Sequence, residues 1–420
     1  PITDEYLQLT REDESKTISL MPFFRLFGKI VSQEESFLSS NDASQGSNPS
    51  ILEPSGPPCL LALEDGKYFS GLSFGAVGTV TGEIVFNTSL TGYQEILTDP
   101  SYAGQVVTLT TPEIGNYGAT ELDIESTSGG VHARGLVIKH LSRRFSSWRG
   151  ESSLPEFMQK HNVVGISGVD TRAITRHIRD LGAMRCAIST EILQPQELVK
   201  IAAGIAGMVG ADFTGEVSTK KIYKIGNGKH RVAVLDFGIK QNILKQLAKG
   251  DTTLTVYPAN TTADVILEDK PAGIFLSNGP GDPAACKNAI AQLAKLIDSK
   301  KPIFGICLGH QLLSIALGAS TYKLKFGHRG GNQPVKDLIT GKIEITCQNH
   351  GFAVDAASMP DTLELTHLNL NDQSVEGFRH KELPVFGIQY HPESSPGPHD
   401  SNYLFGRFFD MIESKGKVSV

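Results

Sequence analysis

The stretch Pro302-Ile-Phe-Gly-Ile-Cys-Leu-Gly-His-Gln-Leu312 decides how this chain folds. Ile303 to Ile306 is a short apolar run, the pattern of a buried strand, and Gln311 to Leu317 reads as a helix. A strand, a glycine-flanked nucleophile and a helix, in that order, make a nucleophile elbow, here with Cys307 in place of serine. The glycines matter because the elbow residue sits in a strained turn where neighbouring side chains would clash. The helix start behind Cys307 offers free N–H groups and a positive dipole end, which lower a thiol's pKa and can bind an oxyanion. A lone cysteine is more often an inert core residue. The case for chemistry therefore rests on what surrounds it.

Working outward, the pattern from Val232 onward is that of an open α/β sheet. Strands are expected at Val232 to Leu235, Thr253 to Tyr257 and Gly273 to Leu276, with helices at Gln241 to Lys249 and Lys287 to Ser299. Alternation of this kind implies parallel crossovers, so reactive groups should gather beyond the strands' carboxyl ends. Three pieces fall there. Ser277-Asn-Gly-Pro-Gly-Asp-Pro283 follows a strand, and its free backbone N–H groups can complete an oxyanion hole with the amide of Leu308. Gln389-Tyr-His-Pro-Glu393 follows a predicted strand at Val385 to Ile388. It would put His391 at the same rim as general base and acid, with Glu393 to orient it. Cys347-Gln-Asn-His-Gly-Phe352 is expected after a strand at Lys342 to Thr346 and could bind a polar ligand end. It also offers His350 as a rival base, although the carboxylate two residues on favours His391.

The N-terminal half reads as a separate mixed α/β domain over 57–217. Cys59 to Leu63 and Tyr68 to Phe74 form a hairpin across an Asp-Gly turn. Further strands are expected at Glu83 to Asn87, Val106 to Leu109, Gly135 to Ile138 and Val163 to Ile166. Helices are expected at Leu154 to Lys160, Thr171 to Asp180 and Pro195 to Ala203. A Gly/Lys-rich stretch at 218–231 reads as the linker to a second domain at 232–420. Residues 1–56 are acidic, serine-rich and proline-punctuated, and are expected to be a poorly ordered N-terminal extension. Arg172, Arg176 and Arg179 form one stripe on a predicted helix, most simply a solvated face. Met208 to Gly215 carries no functional signal.

Composition sets limits. A net charge of −6 over 420 residues argues against nucleic acid as the main partner. Five scattered cysteines show no metal or disulfide spacing, which fits a reducing compartment. No apolar run approaches the length of a membrane span. A cytoplasmic location is expected, with a plastid the alternative if residues 1–56 are the remains of a presequence.

Gly305-Ile-Cys-Leu-Gly-His-Gln311, Ser277 to Pro283 and Tyr390-His-Pro-Glu393 together resemble the class I glutamine amidotransferase domain. Gly82 to Tyr102, Gly168 to Arg176, Asp236-Phe-Gly238, Asn349 to Val354 and His391 to Asp400 are similar to the small subunit of carbamoyl phosphate synthetase. Amidotransferases of anthranilate synthase and GMP synthetase share the triad but lack such an N-terminal domain. The resemblance implies an α/β fold in which the mixed N-terminal domain precedes an open, mostly parallel amidotransferase sheet. It implies Cys307, His391 and Glu393 as the catalytic triad. Ser101, Gly279, Gly281, Leu308, Gln311, Asn349, Gly351 and Phe352 match the glutamine-binding positions. The chain would hydrolyse L-glutamine and pass ammonia to a large synthetase subunit that makes carbamoyl phosphate for pyrimidine and arginine synthesis. No cofactor is expected in this chain; ATP and its divalent metal belong to the large subunit, and the two form a heterodimer. Arg329 and Gln333 stand where the resemblance leads one to expect histidines. A rival reading is a non-catalytic scaffold, against which the intact triad residues argue.

Overall fold

Period-two burial in the first strands closes the N-terminal half into a barrel. In the strand at its start, Cys59, Leu61 and Leu63 pack in one apolar cluster, while Leu60 and Ala62 pack outward against Leu198 and Ala202 of the helix Pro195–Gly204. The computed structural model describes residues 56–415, so the extension expected over 1–56 falls, but for Gly56, outside them. The strands are β1 (Pro58–Leu63), β2 (Tyr68–Gly75), β3 (Thr79–Asn87), β4 (Gln105–Leu109), β5 (Glu113–Ile114), β6 (Gly135–Val137), β7 (His140–Leu141), β8 (Val164–Ser167) and β9 (Met184–Ser189). Seven of them close in the order β1-β2-β8-β6-β4-β3-β9, and β9 returns to β1 with Leu60 opposite Ser189. A mixed α/β unit was expected here; the closed barrel was not. Closure depends on pairings such as β1 with β9, more than 120 residues apart, for which no local pattern exists.

The second half is built on β10 (Tyr223–Ile225), β11 (His230–Asp236), β12 (Thr252–Pro258), β13 (Gly273–Leu276), β14 (Ile303–Ile306), β15 (Thr321–Asp337), β16 (Ile343–Val354), β17 (Leu363–Asn369), β18 (Val375–His380) and β19 (Val385–Ile388). They form one sheet in the order β10-β12-β11-β13-β14-β19-β18-β17-β15-β16. The block β12-β11-β13-β14-β19 is parallel and covered on both faces. One face packs on the helices Lys287–Asp298 and Leu308–Ala316, the other on Gln241–Leu247 and Tyr403–Glu413. Phe275, Phe304, Phe386, Phe405 and Phe408 interlock on that second face.

The expectation of a mostly parallel sheet needs correction. β18, β17, β15 and β16 add an antiparallel half, and β10 adds an antiparallel edge. β15 was missed because Gly327, Gly330, Gly331 and Pro334 read as loop. Register shifts between Lys323 and His328 and between Gly330 and Gln333 let the strand absorb them. β16 also runs past Thr346 to Val354, so Cys347 to Phe352 lies inside a strand rather than after one. The stretch 218–231, read as a linker, contributes β10. Among the described residues no helix is long and apolar enough to cross a membrane.

Candidate active site

The parallel strands β11, β13, β14 and β19 each deliver one piece of the site from the carboxyl end. β14 ends at Ile306, and Cys307 follows with φ 51° and ψ −106° before the helix Leu308–Ala316 starts. A non-glycine residue in that left-handed region carries of order 1–3 kcal/mol of strain, held here by surrounding packing. The Cys307 N–H donates to the Ile388 carbonyl of β19 at 2.8 Å, which ties the elbow to the strand carrying the histidine. Its Sγ lies 3.6 Å from the Asn349 carbonyl oxygen. Gly305 and Gly309 are required by contact: a Cβ on Gly309 would sit 2.3 Å from the Leu276 oxygen.

β19 delivers His391 and Glu393. His391 Nδ1 lies 2.7 Å from Glu393 Oε1, while its Nε2 makes no formed hydrogen bond and the Cys307 thiol is the group that faces it. Burial pushes the imidazole's proton affinity down, but the Glu393 charge and the Cys307 contact outweigh it, so the pKa stands well above the ordinary histidine value. Glu393 is itself buried, which pushes its pKa up; Lys240 and His391 overcome that and hold it at about 2. Lys240 sits just past β11, is 2 % exposed, and places Nζ 3.0 Å from Glu393 Oε1 and in contact with the Ser394 carbonyl. Burial would lower its pKa, and the charges of Glu393 and Glu125 more than reverse that. The rival base, His350, has no carboxylate behind it. Its Nδ1 faces the Phe352 carbonyl at 2.7 Å, and burial pushes its pKa well down.

β13 delivers the glycine loop. Gly279 passes so close to Phe237 that a Cβ there would lie 2.3 Å from its carbonyl oxygen and 2.8 Å from Leu308 Cδ2. Gly281 has φ 99°. Leu308 is the first residue of its helix, so its N–H has no carbonyl one turn back to bond. The barrel enters through the turn Pro100–Tyr102. Asp99 caps it, accepting from the Ser101 N–H at 2.9 Å, and Asp99 Oδ2 accepts from Asn349 Nδ2 at 3.1 Å. Ser101 Oγ accepts from Asn278 Nδ2 at 2.8 Å.

These elements enclose a narrow cleft with an empty volume of about 380 Å³. Cys307, Ser101, Gly279, Gly281, Gln311, Asn349, Gly351 and Phe352 line it, whereas the Leu308 side chain does not. Gln311 is held rigid, donating from Nε2 to the Phe352 carbonyl at 2.8 Å and to Gln389 Oε1 at 2.9 Å. Gln333 lies away from the cleft, where its Oε1 accepts from Asn371 Nδ2.

Sequence reasoning missed several contributors. Lys240 directly extends the Asp236-Phe-Gly238 motif, and its place past a rim strand was the available signal. Asp99 stands before Pro100 and Ser101 in an ordinary turn sequence, which gives no local signal of a role. Arg329 is a wall of the cleft, buried, with Nη1 donating to the Phe326 carbonyl and Nε unpartnered. Met208 also lines the cleft, and the Gly210 N–H donates to Asp282 Oδ2 at 2.8 Å, so the stretch that carried no signal braces the glycine loop.

Comparison with known proteins now bears on this geometry. Residues 233–411 match the family model described as glutamine amidotransferase class-I, and 61–188 match that of the carbamoyl-phosphate synthase small chain, CPSase domain. A protein of Syntrophotalea carbinolica named carbamoyl phosphate synthase small chain is 51% identical over 369 residues, covering 84% of this chain and 97% of that protein. Proteins of the same name from Aquifex aeolicus (52% identical, 84% and 98% covered) and Synechocystis sp. (49%, 86% and 98%) are similarly close.

Proposed function

Since this chain belongs to the carbamoyl phosphate synthase small-chain family, we propose that it is the subunit that hydrolyses L-glutamine, with Cys307 as nucleophile. The observation that carries the proposal is Cys307 in the lining of a cleft shared with Ser101, Gln311 and Asn349, with His391 and Glu393 paired behind it. The raised proton affinity of His391 suits it to take the Cys307 proton as general base. The Cys307 thiolate adds to the carboxamide carbon, and the oxyanion meets the N–H groups of Leu308 and Gly279. His391 gives the proton it took from the thiol to the amide nitrogen, the C–N bond breaks and ammonia leaves. Water, giving a proton to His391, then attacks the glutamyl thioester; the C–S bond breaks, glutamate leaves, and His391 returns the proton to sulfur.

The released ammonia goes to a large, ATP-using partner subunit in a heterodimer, where carbamoyl phosphate is made. ATP and divalent metal act on that partner, and the complex works in the cytoplasm. Ser101, Gly279, Gly281, Leu308, Gln311, Asn349, Gly351 and Phe352 hold glutamine. The test is ammonia release from glutamine by wild type and Cys307→Ala. Loss of activity in the alanine variant is expected, and a wild-type rate overturns the nucleophile. Co-purification from the native source is expected to recover a large ATP-dependent chain; recovery with a chorismate-using synthase overturns the partner.

A further inference from the structure

We propose that His328, His350 and Glu376 form a second site, for a divalent metal ion of the zinc class, in the antiparallel half of the sheet. His328 on β15 lies directly opposite His350 on β16, and Glu376 comes from β18. One potential ligand atom from each lies within 4.8 Å of the others. All three residues are buried, Glu376 completely and His328 to 8 % exposure. Ligand atoms around a tetrahedral zinc are about 3.4 Å apart, so small side-chain rotations close the set.

The partners of the three side chains argue for a ligand more strongly than the spacing does. A metal-bound histidine ordinarily donates its other ring N–H to a carboxylate or a carbonyl, which leaves the ligating nitrogen bare. His328 does this: Nε2 lies 2.8 Å from Asp372 Oδ2, while the buried Nδ1 makes no hydrogen bond and faces Glu376 Oε1 at 3.6 Å. His350 does it as well, with Nδ1 at 2.7 Å from the Phe352 carbonyl. Glu376 accepts from Asn369 Nδ2 on Oε1 at 3.0 Å, while Oε2 is buried and unpartnered. Every member thus has one polar atom tied back to the fold and another turned inward. Unpartnered buried polar atoms are costly, and two in one cluster call for a common occupant.

Gln348 supplies a further observation. Its Oε1 lies 3.0 Å from His350 Nε2. With Nδ1 donating to Phe352, Nε2 of the neutral ring is a lone pair, and it faces a carbonyl oxygen. Two acceptors at that distance repel unless a cation lies between them, and 3.0 Å is near the roughly 3.4 Å spacing of adjacent ligands on one zinc ion. Asp372 and Glu376 supply two negative charges around the cluster, which a dication balances. Two imidazoles with a carboxylate and an amide oxygen suit zinc. The ion would cross-link β15, β16 and β18 beside Asn349 and Gly351, bracing the wall of the cleft without touching the Cys307 chemistry.

The measurement is zinc content of the full chain by mass spectrometry after zinc loading and dialysis, together with the visible spectrum of the cobalt-loaded protein. About one ion per chain with tetrahedral cobalt bands is expected, falling to below about a tenth of an ion in Glu376→Gln and His328→Asn. Glu376→Gln retains the Asn369 hydrogen bond, and circular dichroism checks that it folds. Cys307→Ala is expected to bind zinc like wild type, which separates this site from the hydrolytic reading. A wild-type chain that holds no zinc overturns the proposal. In that case the Gln348 amide is rotated to donate to His350, and His328 is an imidazolium between the two carboxylates. Variants that retain zinc also overturn it, because the ion then sits elsewhere.

Discussion

Lys240 Nζ lies 3.0 Å from Glu393 Oε1, the same oxygen that stands 2.7 Å from His391 Nδ1. One carboxylate oxygen thus holds a buried ammonium and the His391 imidazole together. The candidate triad extends to a line of four, from Lys240 through Glu393 and His391 to Cys307, with the Glu393 carboxylate between the Lys240 ammonium and the imidazole. Glu125 also bears on Lys240, and its Oε2 accepts from the Asn242 N–H, so the barrel side of the molecule helps set the charge of the triad.

Replacing Lys240 with Met removes the strongest influence holding the Glu393 pKa down. A buried carboxylate losing its partner costs about 3–5 kcal/mol. Lower urea stability is expected together with a fall in kcat of roughly 10- to 100-fold, and the acid limb of the kcat profile moves to higher pH. An unchanged pH profile would mean that Lys240 is only a structural cation.

Glu393 contributes to stability in a definite pH window. Its folded pKa is held at about 2, below the ordinary glutamate value of 4.5, so the contribution is complete above 4.5 and is lost as the pH falls towards 2. Urea midpoints of wild type and Glu393→Gln should differ most near neutral pH and converge between pH 4.5 and 2. A gap that widens on acidification contradicts the assignment.

The glycine loop has no room to spare. Gly279→Ala places a methyl against the Phe237 carbonyl and Leu308, so the loop must move and its N–H leaves the oxyanion position. Loss of one such donor costs about 100- to 1,000-fold in kcat. Steady-state kinetics should show that fall in kcat with a smaller change in KM.

Asp99 does not line the cleft; it positions Ser101 and Asn349 from the barrel side. Asp99→Ala should raise the KM for glutamine by roughly 5- to 20-fold, the worth of one or two hydrogen bonds, with kcat little changed. An equal fall in kcat with KM constant would instead put Asp99 in the chemistry.

Local chemistry made some elements readable from residues alone. Ile303–Ile306 and Val385–Ile388 are apolar runs ended by breakers, and the observed strands have those bounds. The helix Leu154–Lys160 announces itself through the capping box of Ser153 and Glu156. The elbow and the His-Pro-Glu triplet lie within a few residues of strand ends, so their place at one rim follows from the parallel alternation. What the tertiary structure decided depends on partners distant in the chain. β1 closes on β9 and β15 pairs with β16 through irregular registers, and those energies do not exist in a short window. Lys240 is a surface residue by composition and a buried one in fact, because Glu393, 393 − 240 = 153 residues later, neutralises it. Asp99 and Asn349 meet only when the barrel and the sheet pack together. The residues with reactive groups could be named from sequence, while the buried charges around them were set by folding, because only folding removes the water that otherwise screens them.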